Sequence, residues 1–116
     1  MLIKEKDRPT EIRENVFGGK GTLIVRPYLT EKEITAPCRI CAEVIVPPGS
    51  STGVHQHDQE DEIYIIQRGH GIISDNGTDK PISPGDAVIT GNGGTHAIHN
   101  TGTEDLVITA IVIRYK

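Results

Sequence analysis

The stretch Gly49-Ser50-Ser51-Thr52-Gly53-Val54-His55-Gln56-His57-Asp58-Gln59-Glu60-Asp61-Glu62-Ile63-Tyr64-Ile65-Ile66-Gln67-Arg68-Gly69 carries both the fold signal and the chemistry of this chain. Glycines open and close it, and between them lie two segments of strand character, Val54 to His57 and Glu62 to Gln67, joined by a polar turn. Side chains alternate faces along a strand, so His55 and His57 point the same way with α-carbons roughly 6.6 Å apart. Two imidazoles at that separation can close onto one ion. Glu62 opens the next strand, and an antiparallel arrangement of the two strands would set its carboxylate beside the imidazoles. Tyr64, two residues on, shares the Glu62 face and is expected as a pocket wall, a hydrogen-bond donor or core.

The rest of the chain has the same β character. Its 116 residues fit one domain. They include 17 Ile, 8 Val and 11 Thr against 4 Leu and 5 Ala, a ratio of β-branched to helix-favouring residues that argues for an all-β protein. Turn residues such as Pro47-Pro48-Gly49 and Pro84-Gly85-Asp86 punctuate short segments. Strands are expected over Thr22 to Arg26, Cys38 to Val46, Val54 to His57, Glu62 to Gln67, Ile72 to Ser74, Lys80 to Ile82, Ala87 to Thr90, Thr95 to Asn100 and Leu106 to Ile113. Asp75-Asn76-Gly77 marks a hairpin, because Asn-Gly supplies the positive φ angles of a tight turn. Residues 1–21 read as an N-terminal arm or edge segment and residues 22–116 as a β-barrel or jelly roll. Thr30-Glu31-Lys32-Glu33 has capping-box spacing for one helical turn. The Gly18-Gly19-Lys20-Gly21 cluster is a turn and no phosphate loop, since no Ser or Thr follows in place and no helix pattern comes next.

Charge narrows the partners. Twelve Lys plus Arg against 16 Asp plus Glu leave a net charge of -4, which gives no general attraction to nucleic acid or anionic lipid. No apolar run approaches the ~20 residues of a membrane span, and the charged N-terminus lacks a signal-peptide core, so a cytoplasmic protein is expected. Two cysteines make no disulfide scaffold. The Cys38-Arg39-Ile40-Cys41 pair reads as two buried or half-buried thiols, because a three-residue offset in a strand sends the sulfurs to opposite faces. The apolar strand Leu106 to Ile113 needs cover, which suggests a homodimer.

A third imidazole, His96, lies on a later strand with similar turns around it. Three nitrogens and one oxygen suit a divalent transition metal such as Mn, Fe, Ni, Co or Zn, and four protein ligands leave up to two octahedral positions open to a small molecule. Glu60 has the parity of Glu62 and is the alternative carboxylate. Asp58 and Asp61 read as solvated turn residues, His99 as surface and His70 as a turn residue.

These residues resemble the cupins, whose motifs are G-x5-H-x-H-x3-4-E-x6-G and G-x5-P-x-G-x2-H-x3-N. The first runs here from Gly49 through His55, His57 and Glu62 to Gly69, and the second from Gly85 through Gly93 and His96 to Asn100, with Gly91 where the family usually has proline. The resemblance implies a double-stranded β-helix jelly roll with His55, His57, Glu62 and His96 as metal ligands and Asn100 as a structural residue closing its strand. It also implies a small metalloenzyme acting on an oxygenated organic acid or sugar by Lewis-acid catalysis: decarboxylation, isomerisation or dioxygenation. The alternative is a non-catalytic small-molecule binder or sensor. In the enzyme reading Glu62 and Tyr64 would serve catalysis. Parity along Cys38 to Val46 puts Arg39, Cys41 and Glu43 on one face, which is either the solvent face or a cavity wall that gives Arg39 to clamp a substrate carboxylate and Glu43 to hold Arg39 or move protons.

Overall fold

The computed structural model describes residues 1–116 and places ten strands in two sheets. In chain order they are β1 (Glu11–Glu14), β2 (Thr22–Leu29), β3 (Cys38–Val46), β4 (His55–His57), β5 (Glu60–Arg68), β6 (Gly71–Asp75), β7 (Thr78–Ile82), β8 (Ala87–Gly91), β9 (Gly94–His99) and β10 (Leu106–Arg114). A six-stranded sheet runs β1-β2-β3-β10-β5-β8 and a four-stranded sheet runs β4-β9-β6-β7. Every pairing is antiparallel. The fold is therefore the all-β, double-stranded β-helix jelly roll that the composition and motifs predict.

Alternation builds the core. Residues of even number on β5 and β10 turn inward, so Tyr64, Ile66, Ile108 and Ala110 are buried, together with Val46, Ile73 and Ile98 from neighbouring strands. The hairpin read at Asn76-Gly77 joins β6 to β7 in two residues, with φ of 49° and 85°. A second Asn-Gly pair, Asn92-Gly93, has φ of 53° and 86°. It joins β8 to β9 across the two sheets, and so delivers His96 to the sheet opposite Glu62. Thr30 and Glu33 form the expected single turn: the Glu33 carboxylate accepts from the Thr30 amide at 3.1 Å and from the Thr30 hydroxyl at 2.7 Å.

The structure alters two sequence-based expectations. Strand β10 is no edge: β3 and β5 pair along both its sides, so its own edges are already covered. Strands β4 and β5 do not pair; β4 pairs with β9 and β5 with β10 and β8, so Glu62 approaches the histidines from the facing sheet. At Gly91, where the family usually has proline, a Cβ would overlap the Asp61 carboxylate. That carboxylate accepts from the Tyr115 hydroxyl at 2.6 Å, and the hydroxyl in turn accepts from the Asn92 amide at 2.8 Å.

Residues 1–21 add β1 to the sheet edge beyond β2. Arg8 fastens the segment before it, donating to the Pro27 and Arg26 carbonyls at 3.1 and 2.9 Å with its guanidinium 4.2 Å from the Tyr28 ring centre. No helix of the structure is long and apolar enough to cross a membrane.

Candidate metal centre

His55 and His96 are direct partners in the β4–β9 register, and His57 lies two residues along on the same face. From the opposite sheet, β5 supplies Glu62. The four side chains meet inside the barrel with their nearest ligand atoms all within 4.8 Å of one another. Four of the six donor pairs are closer. Nε2 of His96 lies 2.9 Å from Nε2 of His55 and 3.1 Å from Nε2 of His57, and Oε1 of Glu62 lies 2.9 and 3.0 Å from Nε2 of His57 and His96. Metal bonds of about 2.1 Å place neighbouring octahedral donors about 3.0 Å apart and tetrahedral donors about 3.4 Å apart. Those four pairs fit the octahedral spacing.

Proton positions strengthen the case for a cation. His55 Nδ1 faces the Gly53 carbonyl at 2.8 Å, and His57 Nδ1 faces the Glu60 carboxylate at 2.6 Å. Both partners only accept, so Nδ1 carries a proton in each ring, and the neutral form of each ring presents an Nε2 lone pair to the centre. His96 Nδ1 meets Thr90 Oγ1 at 2.9 Å. Bare nitrogens and a carboxylate converging on one point are satisfied by a metal ion, and outer partners of this kind orient metal-binding imidazoles. His57, Glu62 and His96 are buried, and half-buried His55 stacks against Phe17 with ring centres 4.1 Å apart.

Charge follows from these contacts. Burial works against ionisation of Glu62, but hydrogen bonds from His57 and His96 outweigh it and hold the carboxyl at about 2. The same Glu62 contact raises His57 above its ordinary value, whereas burial lowers His55. Metal binding must therefore displace a proton from His57 wherever that ring is protonated. Affinity is expected to fall about tenfold per pH unit once His57 is protonated, and more steeply after His55 follows. Competition against a chromophoric chelator from pH 8 to 5.5 reads that slope; a flat profile would exclude imidazole ligation.

Arg39 and Glu60 form the next layer. The Arg39 Nε and Nη2 donate to the two Glu60 oxygens at 2.8 and 2.7 Å, which with His57 holds the Glu60 carboxyl at about 2. Glu60 is thus the outer partner of His57, and Glu62 is the carboxylate at the centre. The β3–β10 register slips between Ile40 and Cys38, leaving Arg39 unpaired at a bulge, and its side chain reaches the cavity wall. Glu43 does not join it. Its carboxylate pairs with Arg8 and Arg26 at 3.4 and 3.5 Å, away from the cavity, so the role of holding Arg39 falls to Glu60. Tyr64 is buried with its ring 5.0 Å from that of His96, and burial followed by the Glu62 charge pushes its hydroxyl well up.

Other residues lie apart from the centre. His70 and His99 are exposed, and both thiols are half-buried and free. Asn100 is buried and donates to the Val46 and Glu104 carbonyls at 2.7 Å each, closing the end of β9. Thr90 and Phe17 were not singled out in the sequence. Thr90 had only its position on a strand to mark it, and Phe17 lies in a polar segment without clear periodicity.

Residues 42–112 match the family model described as Cupin domain. A curated relative, the oxalate-binding protein of Thermotoga maritima, is 39% identical over 97% of this chain and 93% of its own length. A crystal structure described as a predicted oxalate decarboxylase from Thermotoga maritima superposes with a TM-score of 0.92 at 38% identity, covering 98% of this chain and 99% of that one. The polyketide cyclase RemF of Streptomyces resistomycificus shares the fold at a TM-score of 0.79 and 18% identity, over 100% of this chain and 80% of its own.

Proposed function

This chain belongs to the cupin family, and on that premise we propose that it binds one divalent transition metal through His55, His57, Glu62 and His96 and holds a small oxygenated acid of the oxalate type against it. The observation that carries the reading is the convergence of imidazole nitrogens and a carboxylate oxygen at 2.9–3.1 Å. A 39% identical relative described as oxalate-binding supports the ligand class.

A metal held there supplies Lewis-acid attraction for carboxylate oxygens. The chain's own residues do the rest. Arg39 keeps its positive charge beside Glu60, and Glu60 engages only two of the five guanidinium N–H donors. The free donors can clamp a ligand carboxylate. Tyr64 stays protonated and able to donate. Phe17 covers His55 from the solvent side.

Binding is favoured over turnover because Glu60, the carboxylate nearest the ligand set, is already engaged by Arg39 and His57. Catalysis by decarboxylation, isomerisation or dioxygenation is the second reading. It rests on Tyr64, a proton-bearing group beside Glu62. Calorimetry on metal-loaded protein tests both the ligand and the clamp. Arg39→Gln is expected to keep its metal and bind oxalate about 10–100-fold more weakly, as for loss of a charged hydrogen bond of ~1.5–3 kcal/mol. Unchanged affinity would remove Arg39 from the site, absence of oxalate binding by the parent would remove the ligand class, and steady carbon dioxide release from oxalate would favour the enzyme reading.

A further inference from the structure

The cavity is larger than the acid just proposed. Its volume of about 670 Å³ lies in the middle of the range of about 300–1,000 Å³ that accommodates drug-sized ligands, whereas a two-carbon dianion between the metal ligands and Arg39 occupies one end. The rest is apolar. Inward-facing Ile66, Ile108 and Val112 of β5 and β10 are fully buried, as are Ala42 and Val46 of β3, but other inward residues of β2 and β3 are not. There Pro27, Leu29, Ile40 and Val44 remain half-buried because they face the open cavity. Val16 closes the same space from the N-terminal segment, its carbonyl fixed by the Gly53 amide at 2.9 Å. Polar groups concentrate at the metal end and at the outer rim, where Glu11, Arg13 and the Thr30–Glu33 turn lie.

The wall has a direction. Ile40 is paired with Val112, and Val112 with Glu62, so it begins beside the ligand set. Ala42 and then Val44 continue along β3, with Val25 beside Val44 on β2. From Ile40 to Val44 the wall runs about 13 Å at ~3.3 Å per residue. Ala42 adds little bulk between the two branched side chains.

We propose that the ligand is an amphipathic acid: a 2-oxo monocarboxylate whose oxygen-bearing head takes the place of oxalate at the metal and Arg39, and whose unbranched apolar tail lies along Ile40, Ala42, Val44 and Val25. This rests on the preceding reading of the centre and extends it to the substrate class. Desolvating a tail against an apolar wall is worth ~0.8 kcal/mol per methylene, about fourfold in affinity.

Calorimetric titration of the metal-loaded protein with oxalate, pyruvate, 2-oxobutanoate, 2-oxohexanoate and 2-oxooctanoate tests the proposal. Affinity is expected to rise about fourfold per added methylene across the oxo acids. Val44→Phe, which fills the wall, is expected to abolish the rise while leaving oxalate affinity within about twofold, and the milder Val44→Thr to flatten it. Binding of oxalate and pyruvate with no gain on lengthening would overturn the amphipathic ligand and leave the metal-centred reading standing. Failure of every acid, oxalate included, would overturn both.

Discussion

His96→Ala is expected to bind a divalent transition metal well over 100-fold more weakly than the parent, while keeping a folded β spectrum. The side chain is 1% exposed, and its Nε2 lies within 3.1 Å of donor atoms from all three other ligands. Removing it deletes a donor, and the cavity left behind also loosens the stack with Tyr64. Thr90→Val provides the scale for comparison. It leaves the imidazole in place and removes only the hydroxyl 2.9 Å from Nδ1, so a loss of about 10–100-fold is expected, as for other outer partners of metal ligands. Chelator competition on both variants measures the difference. Equal losses would mean that His96 acts through packing, and an unchanged His96→Ala would place the metal elsewhere.

Ile108→Ala is expected to cost ~2–5 kcal/mol of unfolding free energy, the range for truncating a buried aliphatic side chain. At roughly 4 °C per kcal/mol for a chain near this size, the melting temperature would fall by about 8–20 °C. The position explains the size of the effect. Ile108 is 0% exposed at the middle of β10, paired with Val44 on one side and Ile66 on the other, and belongs to the main apolar cluster. Ile113, at the far end of the same strand, is 41% exposed, and its alanine variant should stay within about 0.5 kcal/mol. Urea unfolding compares the two. A cost below ~1 kcal/mol at Ile108 would mean that β10 is not the centre of the core.

That central position was not legible in the sequence. Alternation and β-branched composition marked Leu106 to Ile113 as a strand, but its neighbours are β3 and β5, both distant in the chain. Strand character is a local property and pairing is not, so an apolar last strand read as needing a partner subunit. The same limit applies to Glu62. Its distance from His57 was informative, yet the short turn between them carries the chain from one sheet to the other, so the carboxylate faces the histidines across the barrel.

Local chemistry was more readable. Strand β3 spans Cys38–Val46 as expected, and Asn76-Gly77 makes its two-residue turn because both positions require positive φ. The four residues of the candidate centre came from parity and motif spacing, and the fold gathers all four. Parity misled at Arg39 and Glu43. A regular strand would keep them on one face, but the bulge frees Arg39 toward Glu60 and the cavity while Glu43 stays outside with Arg8 and Arg26. Bulges depend on the neighbouring strand's register, which single-strand periodicity does not contain.

The pH behaviour of the metal-free protein adds a constraint on handling. Glu60 and Glu62 are both held at about 2, below the ordinary carboxylate value of 4.5. Each depressed group contributes stability above the unfolded value, and that contribution is lost as pH falls from about 4.5 toward 2. Metal should leave at a higher pH than the one at which the fold fails, because the imidazoles gain protons first.

The measurement that bears most directly on the account is the metal content, by mass spectrometry, of protein purified without an affinity tag or chelator. One equivalent of a divalent transition metal per chain, lost in His57→Ala, is the expected result. Protein with no stoichiometric metal that takes up none of manganese, iron, cobalt, nickel or zinc on addition would contradict it.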